Sequence, residues 1–350
     1  MQSRLSPELS KGQIMKTTIT DVAKQAGVSM KTVSRVLNNE PNVAKTTRER
    51  VMQAASDLNY SPNLAARGLA SSKSYLIALL YDNPSPSYLS DLQKGAVEAC
   101  RKHGYHLVLE PIRIEEVESP GIEARLRRLS VDGVVIAPPL SDSSVLLAML
   151  TKLGLRHSVV APETIGDALT VFMDNSEAAF MMTQHLLDLG HRDIAFIQGP
   201  DSHSSSAQRL SGFESAISKA GLSLDRIKTI VGDYTVQSGV NAAKILLSHH
   251  NDRPSAIFAA NDDMAAGVVT FAARQGIVVP DELSVCGFDD TPIAEILWPK
   301  LTTIAQPIQE MGRQAVEMLI DKSESKGSNT TTLEFELVVR ASTGPVRNDG

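Results

Sequence analysis

Apolar positions along this chain change their period near residue 75. Ahead of that point, in TITDVAKQAGVSMKTVSRVLN (18–38), Val22, Ala23 and Ala26 recur at helical spacing, and Val33, Val36 and Leu37 do so again after Gly27. Asp21 falls in the first turn, where an acid suits the positive helix end, Gly27 ends the first helix, and Ser29 can cap the second. Two short amphipathic helices in this order predict a helix-turn-helix. Thr46 to Leu58, TTRERVMQAASDL, predicts a third, and Pro62 then holds Ser61 out of helix before Asn63 to Ala70 turns helical again.

Beyond Tyr75 the apolar residues come in runs of strand length, YLIALLYD, HLVLEP, DGVVIAP, SVVAP and TVFMD, with helical patterns between them. A second series, DIAFIQG, KTIVGD, SAIFAAN and LSVCGFD, alternates with helices near 176–190, 206–220, 236–249 and 262–275. Such alternation predicts βαβ units, and so two doubly wound, parallel-sheet halves in succession. SESKGSNTT (323–331) reads as a mobile loop before a final strand, LEFELVVR.

The side chains left over by each pattern carry the chemistry. On the second helix Met30, Lys31 and Arg35 point away from Val33, Val36 and Leu37, and Lys31 and Arg35 share a face four residues apart. A major groove admits a helix, guanine offers O6 and N7 to Arg or Lys, and a Met can lie on a thymine methyl, so this face suits base readout. Thr18, Ser29, Thr32, Ser34 and Asn38 would serve phosphates, and Thr47 and Asn63 are counted with them as DNA-contacting. The competing reading is a helical hairpin packed inside an enzyme.

In the doubly wound part, ligands bind outside the carboxyl ends of the strands. The residues there are polar: Asp82 and Asn83 after the first run, then His203, Ser205, Tyr234, Asn261, Asp262 and Asp289. Polar groups converging between two lobes suit a hydroxyl-rich small molecule. Each also has a structural alternative: Asn261 and Asp262 can simply cap a helix, SHSSS can be a polar loop, and Tyr88 and Tyr234 can be core.

Composition narrows the choice. With 350 residues and 42% hydrophobic content the chain can bury a sizeable core in two or three domains. Residues 16–73 carry nine Lys or Arg against Asp21, Glu40, Glu49 and Asp57, a balance of +5; residues 1–15 add +1, and the formal total of −6 leaves about −12 for 74–350. Attraction for phosphate is therefore confined to one end. There is no membrane-spanning run and no signal-peptide core, so a cytoplasmic, nucleoid-associated location is expected. Cys100 and Cys286 lack metal-ligand spacing and read as buried free thiols. Residues 1–15 read as a disordered tail, with Met15 a candidate natural start.

TITDVAKQAGVSMKTVSRVLNN, followed by NVAKTTRERVMQAASDLNYSPNLAARGLA, resembles the LacI/GalR family of bacterial transcription regulators in motif and spacing. The resemblance runs on through LGHRDIAFIQGP, RLSGFESAI, FAANDDMAAGVV, VCGFDDTPIA and LTTIAQP, and so covers about 18 to 343. It implies that Asn63 to Ala70 is a hinge helix that orders on operator DNA, with Leu69 wedged into the minor groove, a role that suits an apolar side chain. Gly68 departs from the more helix-favouring residues common there. The resemblance also implies a periplasmic-binding-protein-like (type I) effector domain. Arg209, Asn261 and Asp289 match its effector-binding positions and Tyr234 an aromatic that covers the ligand; Asp82, Asn83, Tyr88, His203 and Ser205 complete the candidate set. An acid that follows the SVVAP strand in some relatives is replaced here by Ala161 and Pro162.

The expected architecture is a tail (1–15), an all-α helix-turn-helix headpiece (16–61), a hinge helix and linker (62–74), an effector and dimerisation domain (75–343) and a tail (344–350). The first subdomain of the effector domain takes about 75–174 and 306–330, the second about 175–305 and 331–343. The expected function is a repressor, not an enzyme, that binds a palindromic operator in double-stranded DNA as a homodimer. It needs no cofactor and no metal, and its control comes from a small-molecule effector, a mono- or disaccharide, in the cleft. An effector-dependent activator and a purine-responsive regulator remain open, as does, in another class, a sugar-binding transport protein. No G-x-G-x-x-G, Walker, HExxH or G-x-S-x-G signature supports an enzyme.

Overall fold

The structure, a computed structural model, describes residues 17–37, 41–60, 73–83, 85–249, 253–321 and 329–346. Asn38, Asn63, Leu69, the hinge helix, residues 1–15 and most of the 323–331 loop lie outside the described residues. The chain divides into two compact units at Ser74.

In the first unit, α1 (Ile19–Ala26), α2 (Met30–Leu37) and α3 (Lys45–Asp57) enclose a core of Val22, Ala23, Ala26, Val33, Val36, Val51, Ala54 and Ala55. The turn between α1 and α2 follows from its residues. Gly27 adopts φ +64, the left-handed position that ends α1, and the Val28 amide donates to the Ala23 carbonyl at 3.0 Å. Ser29 Oγ then accepts the Thr32 amide at 3.1 Å and caps α2. At the start of α1 both the amide (2.9 Å) and hydroxyl (2.7 Å) of Thr18 donate to the Asp21 carboxylate, and these bonds hold that carboxyl below its usual range. Arg48 on α3 donates to the Val36 carbonyl at 3.3 Å and ties the end of α2 to the third helix.

The second unit contains two all-parallel sheets. The first has the order β11-β5-β4-β3-β1-β2, from β1 (Leu76–Tyr81), β2 (His106–Pro111), β3 (Gly133–Ile136), β4 (His157–Val160), β5 (Leu169–Phe172) and β11 (Thr330–Thr332). The second has the order β7-β6-β8-β9, from β6 (Ile194–Gln198), β7 (Lys228–Val231), β8 (Ala256–Ala259) and β9 (Ser284–Cys286). Ile77 and Leu79 of β1 join one buried cluster and Ala78 and Leu80 another, so both faces of this strand are covered, as a parallel sheet requires.

Helices cover these faces in close pairs: α4 (Pro86–Lys102) with α12 (Ile308–Ile320), α7 (Asn175–Asp188) with α8 (Ser204–Lys219), and α9 (Val236–Leu246) with α10 (Asp262–Arg274). A glycine sits at each crossing. A Cβ at Gly95 would meet the Gln309 carbonyl, at Gly312 that of Leu92, at Gly212 that of Ser176, at Gly239 that of Met264, and at Gly267 that of Val236. Cys100 and Cys286 are buried free thiols.

The C-terminal part departs from the sequence expectation. LEFELVVR is not one strand. β11 precedes it, taken from the segment read as loop, and its Leu333 amide bonds to the Phe172 carbonyl at 2.8 Å; β12 (Glu336–Val338) pairs antiparallel with β10 (Thr303–Ala305). The chain changes lobes between these strands, so the last crossing falls after Leu333 rather than at 330. Residues 344–346 are not a loose tail either: the Gly344 carbonyl accepts from His191 Nε2 at 3.0 Å, and the Val346 amide bonds to Leu189 at 3.0 Å.

Candidate functional site

On the headpiece, burial of Val33 and Val36 turns the rest of α2 outward. Met30 is 53% exposed, with its sulfur 3.3 Å from the Thr20 hydroxyl, and Lys31 and Arg35 are exposed on the same helix. Ser29 and Thr32 hydroxyls bond to one another at 2.9 Å, and Thr18 is engaged with Asp21, so all three serve the helix ends in this structure. Ser34 and Thr47 are half-buried.

The cleft of the second unit lies between its two lobes, at the carboxyl ends of both sheets. Its lining brings together Asn83, Tyr88, His203, Ser205, Arg209, Tyr234, Asn261 and Asp289. Asp82 is not among them. Its carboxylate accepts the Ile114 amide at 2.7 Å, because β1 runs beside β2 and the turn after β2 folds back over the end of β1; that expectation is corrected. The lining also includes Ser85, Pro138, Ala161, Asn175 and Gln306. Three of these had a signal in the sequence: Ala161 as the place of a missing acid, Asn175 and Gln306 in segments that cross between lobes.

Arg209 organises the floor. Its Nε donates to Asn175 Oδ1 at 3.1 Å, its Nη1 to the Ala260 carbonyl at 2.5 Å, and Nη1 lies 3.6 Å from Asp289 Oδ1. The guanidinium stacks 3.7 Å over the Phe288 ring. Arg209 and Asp289 both belong to the second lobe, so they pair within it and not across the cleft. Gln306 Nε2 donates to Asp289 Oδ1 at 2.5 Å. Burial pushes the Asp289 carboxyl up to about 7, against the downward pull of Arg209 and Gln306.

Asn261 does what its position predicts of a cap: Oδ1 accepts the Met264 amide at 2.9 Å, and Nδ2 donates to the Tyr234 carbonyl at 3.1 Å. That second bond helps hold Tyr234 at φ +65, a left-handed position unusual for a tyrosine. Asp262 is structural. Fully buried, it accepts the Thr291 amide (2.8 Å) and the Thr303 hydroxyl (2.6 Å) away from the cleft.

The Tyr234 ring lies against Gly199, where a Cβ has no room, and edge-on to His203 with centroids 5.2 Å apart. The Tyr234 hydroxyl and His203 Nε2 are buried with no hydrogen-bond partner among the described residues; the hydroxyl lies near Ser205 and Ser206 without bonding geometry to either. Burial, aided by Arg209, pushes His203 down to about 4, so it is neutral near pH 7. The cleft thus offers one internally matched ion pair and two unsatisfied polar groups beside aromatic faces. No group of His, Cys, Asp and Glu suited to a metal occurs among the described residues, and none of their helices is long and apolar enough to cross a membrane.

A helix-turn-helix unit joined to a two-lobed α/β unit with a polar cleft defines a ligand-responsive DNA-binding regulator. The chain belongs to the LacI family of bacterial transcriptional regulators, and is not an enzyme. Residues 18–63 match the family model for bacterial regulatory proteins, lacI family, and residues 183–343 that for a periplasmic binding protein-like domain. It is 34% identical to the HTH-type transcriptional regulator DegA of Bacillus subtilis (strain 168), over 95% of this chain and 99% of that one. Among solved structures it is similar to a transcriptional regulator CelR–cellobiose complex, with 31% identity, TM-score 0.70 and coverage of 93% of this chain and 99% of the other. It is also similar to the lac repressor dimer bound to operator and the anti-inducer ONPF, with 29% identity, TM-score 0.79 and coverage of 94% and 99%.

Proposed function

We propose that the chain is a repressor that binds a two-fold operator as a homodimer and is switched by a mono- or disaccharide in the cleft, within the cytoplasm. The observation that carries the effector class is the pair of buried, unpartnered groups, Tyr234 hydroxyl and His203 Nε2, on residues that line a cleft whose one lining cation among the described residues is already matched by Asp289. Buried polar groups are almost always hydrogen-bonded. A ligand rich in hydroxyls and free of charge would satisfy both without leaving a charge unpaired, and Tyr234 and Tyr88 offer flat faces to sugar C–H groups. The cellobiose in the CelR complex is of this kind.

One helix-turn-helix reads a few base pairs, so a two-fold pair of chains matches a palindromic site. The second lobe carries a surface suited to such pairing: Ile296 is 80% exposed, and Trp298, the chain's only tryptophan, 87% exposed. The lac repressor relative is a dimer on its operator.

The test is selection of duplexes from a randomised library by the full chain, followed by anisotropy titrations and a thermal-shift screen of sugars. Arg35→Ala is expected to relax base preference at one operator position, at about 1–3 kcal/mol. Thr18→Ala is expected to weaken all sequences alike. Equal losses on every sequence for both variants would remove Arg35 from base readout.

Effector affinity should depend on pH through Asp289. A sugar hydroxyl donates to the ionised carboxylate, and the group gains its proton below about 7. Affinity is therefore expected to be flat above pH 8 and to fall by up to about tenfold per unit below 7. Asp289→Asn should flatten the profile. A wild-type profile that rises on acidification would contradict this role for the carboxylate.

A further inference from the structure

Among the described residues, two hydrogen bonds join the lobes besides those made in the crossing segments, where Gln306 bonds to Asp289. On one side Ser85, at the start of α4 in the first lobe, donates its hydroxyl to Asp263 Oδ2, on the first turn of α10 in the second lobe, at 2.8 Å. Both residues are buried, at 3% and 9% exposure. On the other side Asp142, in the turn after β3, accepts the Ser204 amide at the start of α8 on Oδ2 at 3.3 Å, while its Oδ1 accepts the Glu163 amide at 2.6 Å.

These contacts connect protein to protein and require nothing in the cleft. The Ser85–Asp263 bond is the shorter and more buried of the two. Opening the lobes would return the Asp263 carboxylate to water, whereas closing leaves it buried, and burial raises its pKa even though the Ser85 hydroxyl stabilises the ionised form. Hydrogen bonding by Ser85 therefore offsets part of the penalty that closure places on this residue, and without it that penalty is larger. We propose that Ser85 and Asp263 form an effector-independent latch that holds the cleft closed in the free protein, with Asp142 and the start of α8 as a second clasp.

The consequence is a shifted resting equilibrium. A ligand that binds the closed form finds it already populated, so the latch sets apparent affinity through that population, whatever contact Ser85 in the lining also makes. This inference rests on the cleft being the effector site, but its test uses no ligand and so can fail while effector binding stands.

The test is amide hydrogen exchange of the full ligand-free chain, read at Ser204, whose amide belongs to the second clasp. Asp263→Ala is expected to speed Ser204 exchange about tenfold, since it removes a hydrogen bond to a charged group. Asp263→Asn, which keeps an oxygen to accept from Ser85, should stay near wild type. Ser85→Ala, which also removes the cap on the Tyr88 amide, should speed exchange at least as much as Asp263→Ala, and the double variant should add little to Ser85→Ala, because the Ser85–Asp263 bond is lost in all three. Unchanged exchange at Ser204 in both alanine variants would overturn the proposal. So would additive effects in the double variant, which would mean that the two residues act independently. Exchange in β6 serves as the control for general loss of structure: an acceleration there equal to that at Ser204 would also overturn it, in favour of a purely structural pair.

Discussion

Replacing Gly95 with alanine is expected to lower the melting temperature of the effector unit by more than any other single-methyl addition considered in these helices. Gly95 lies on α4 where α12 crosses it, and a Cβ there would overlap the Gln309 carbonyl group. Facing it, Gly312 on α12 has the same relation to the Leu92 carbonyl, so neither helix can retreat by rotating a side chain. Overpacking usually costs about 1–3 kcal/mol, and an obstacle made of backbone places this case at or above the upper end. In an exposed helix the same substitution would stabilise by about 1 kcal/mol through propensity, so the sign itself is informative. Gly121→Ala is the control, because nothing lies within 4 Å of its added Cβ. Thermal unfolding of the two variants beside wild type decides the matter: a Gly95→Ala protein as stable as Gly121→Ala would mean that α4 and α12 do not approach this closely.

The glycine crossings also mark a limit of reading from sequence. Period alone locates helices and strands, since it reflects which face of each element is buried; β1 to β9 and the four helices between Asn175 and Arg274 lie where the apolar runs and helical patterns put them, whereas Ile308–Ile320 was not anticipated. An isolated glycine in a helical pattern, such as Gly239 or Gly267, carries no mark of which partner helix requires it. The end of the chain was harder for a related reason. Thr330–Thr332 has no apolar alternation, yet it becomes a strand because β5 offers it an open edge, and Leu333 to Phe335 then carry the chain to the other lobe. Pairing of this kind is settled by distant partners.

Candidate cleft residues were legible for those placed just after a strand, where the doubly wound arrangement gathers polar groups. Asp82 shows how one position changes the outcome: it and Asn83 follow the same strand, but Asp82 turns aside to the Ile114 amide while Asn83 lines the cleft. Gln306 was missed as a site residue because its contribution depends on meeting Asp289, seventeen residues away in sequence. Asn261 combines two readings, since capping α10 is what directs its amide to the Tyr234 carbonyl and sets the aromatic beside the cleft. Helix capping and site construction are here one set of bonds.

Arg209→Ala is expected to be the most damaging change in the cleft, and its damage should depend on pH. The guanidinium satisfies the Ala260 carbonyl and Asn175 Oδ1, lies on Phe288, and faces the Asp289 carboxylate at 3.6 Å. Without it Asp289 is a buried acid that keeps Gln306 but has lost its cation, and removing one member of a buried ion pair costs about 3–5 kcal/mol. Arg209 is also a force holding the Asp289 pKa down, so its loss moves that pKa further above about 7. A carboxyl whose folded pKa is raised above the unfolded value holds its proton better when folded, so stability returns as pH falls through the folded value. The melting deficit of Arg209→Ala relative to wild type should therefore be largest at pH 8 and smaller at pH 6. Adding Asp289→Asn should recover much of the pH 8 deficit, because no charge is then left uncompensated, while effector binding at the proposed site stays lost in both variants, by at least about a hundredfold. Operator binding, carried by the separate helix-turn-helix unit, should persist at temperatures where the variant stays folded. A deficit that is equal at pH 6 and pH 8, and unrelieved by Asp289→Asn, would place the importance of Arg209 in packing against Phe288 instead of in its charge.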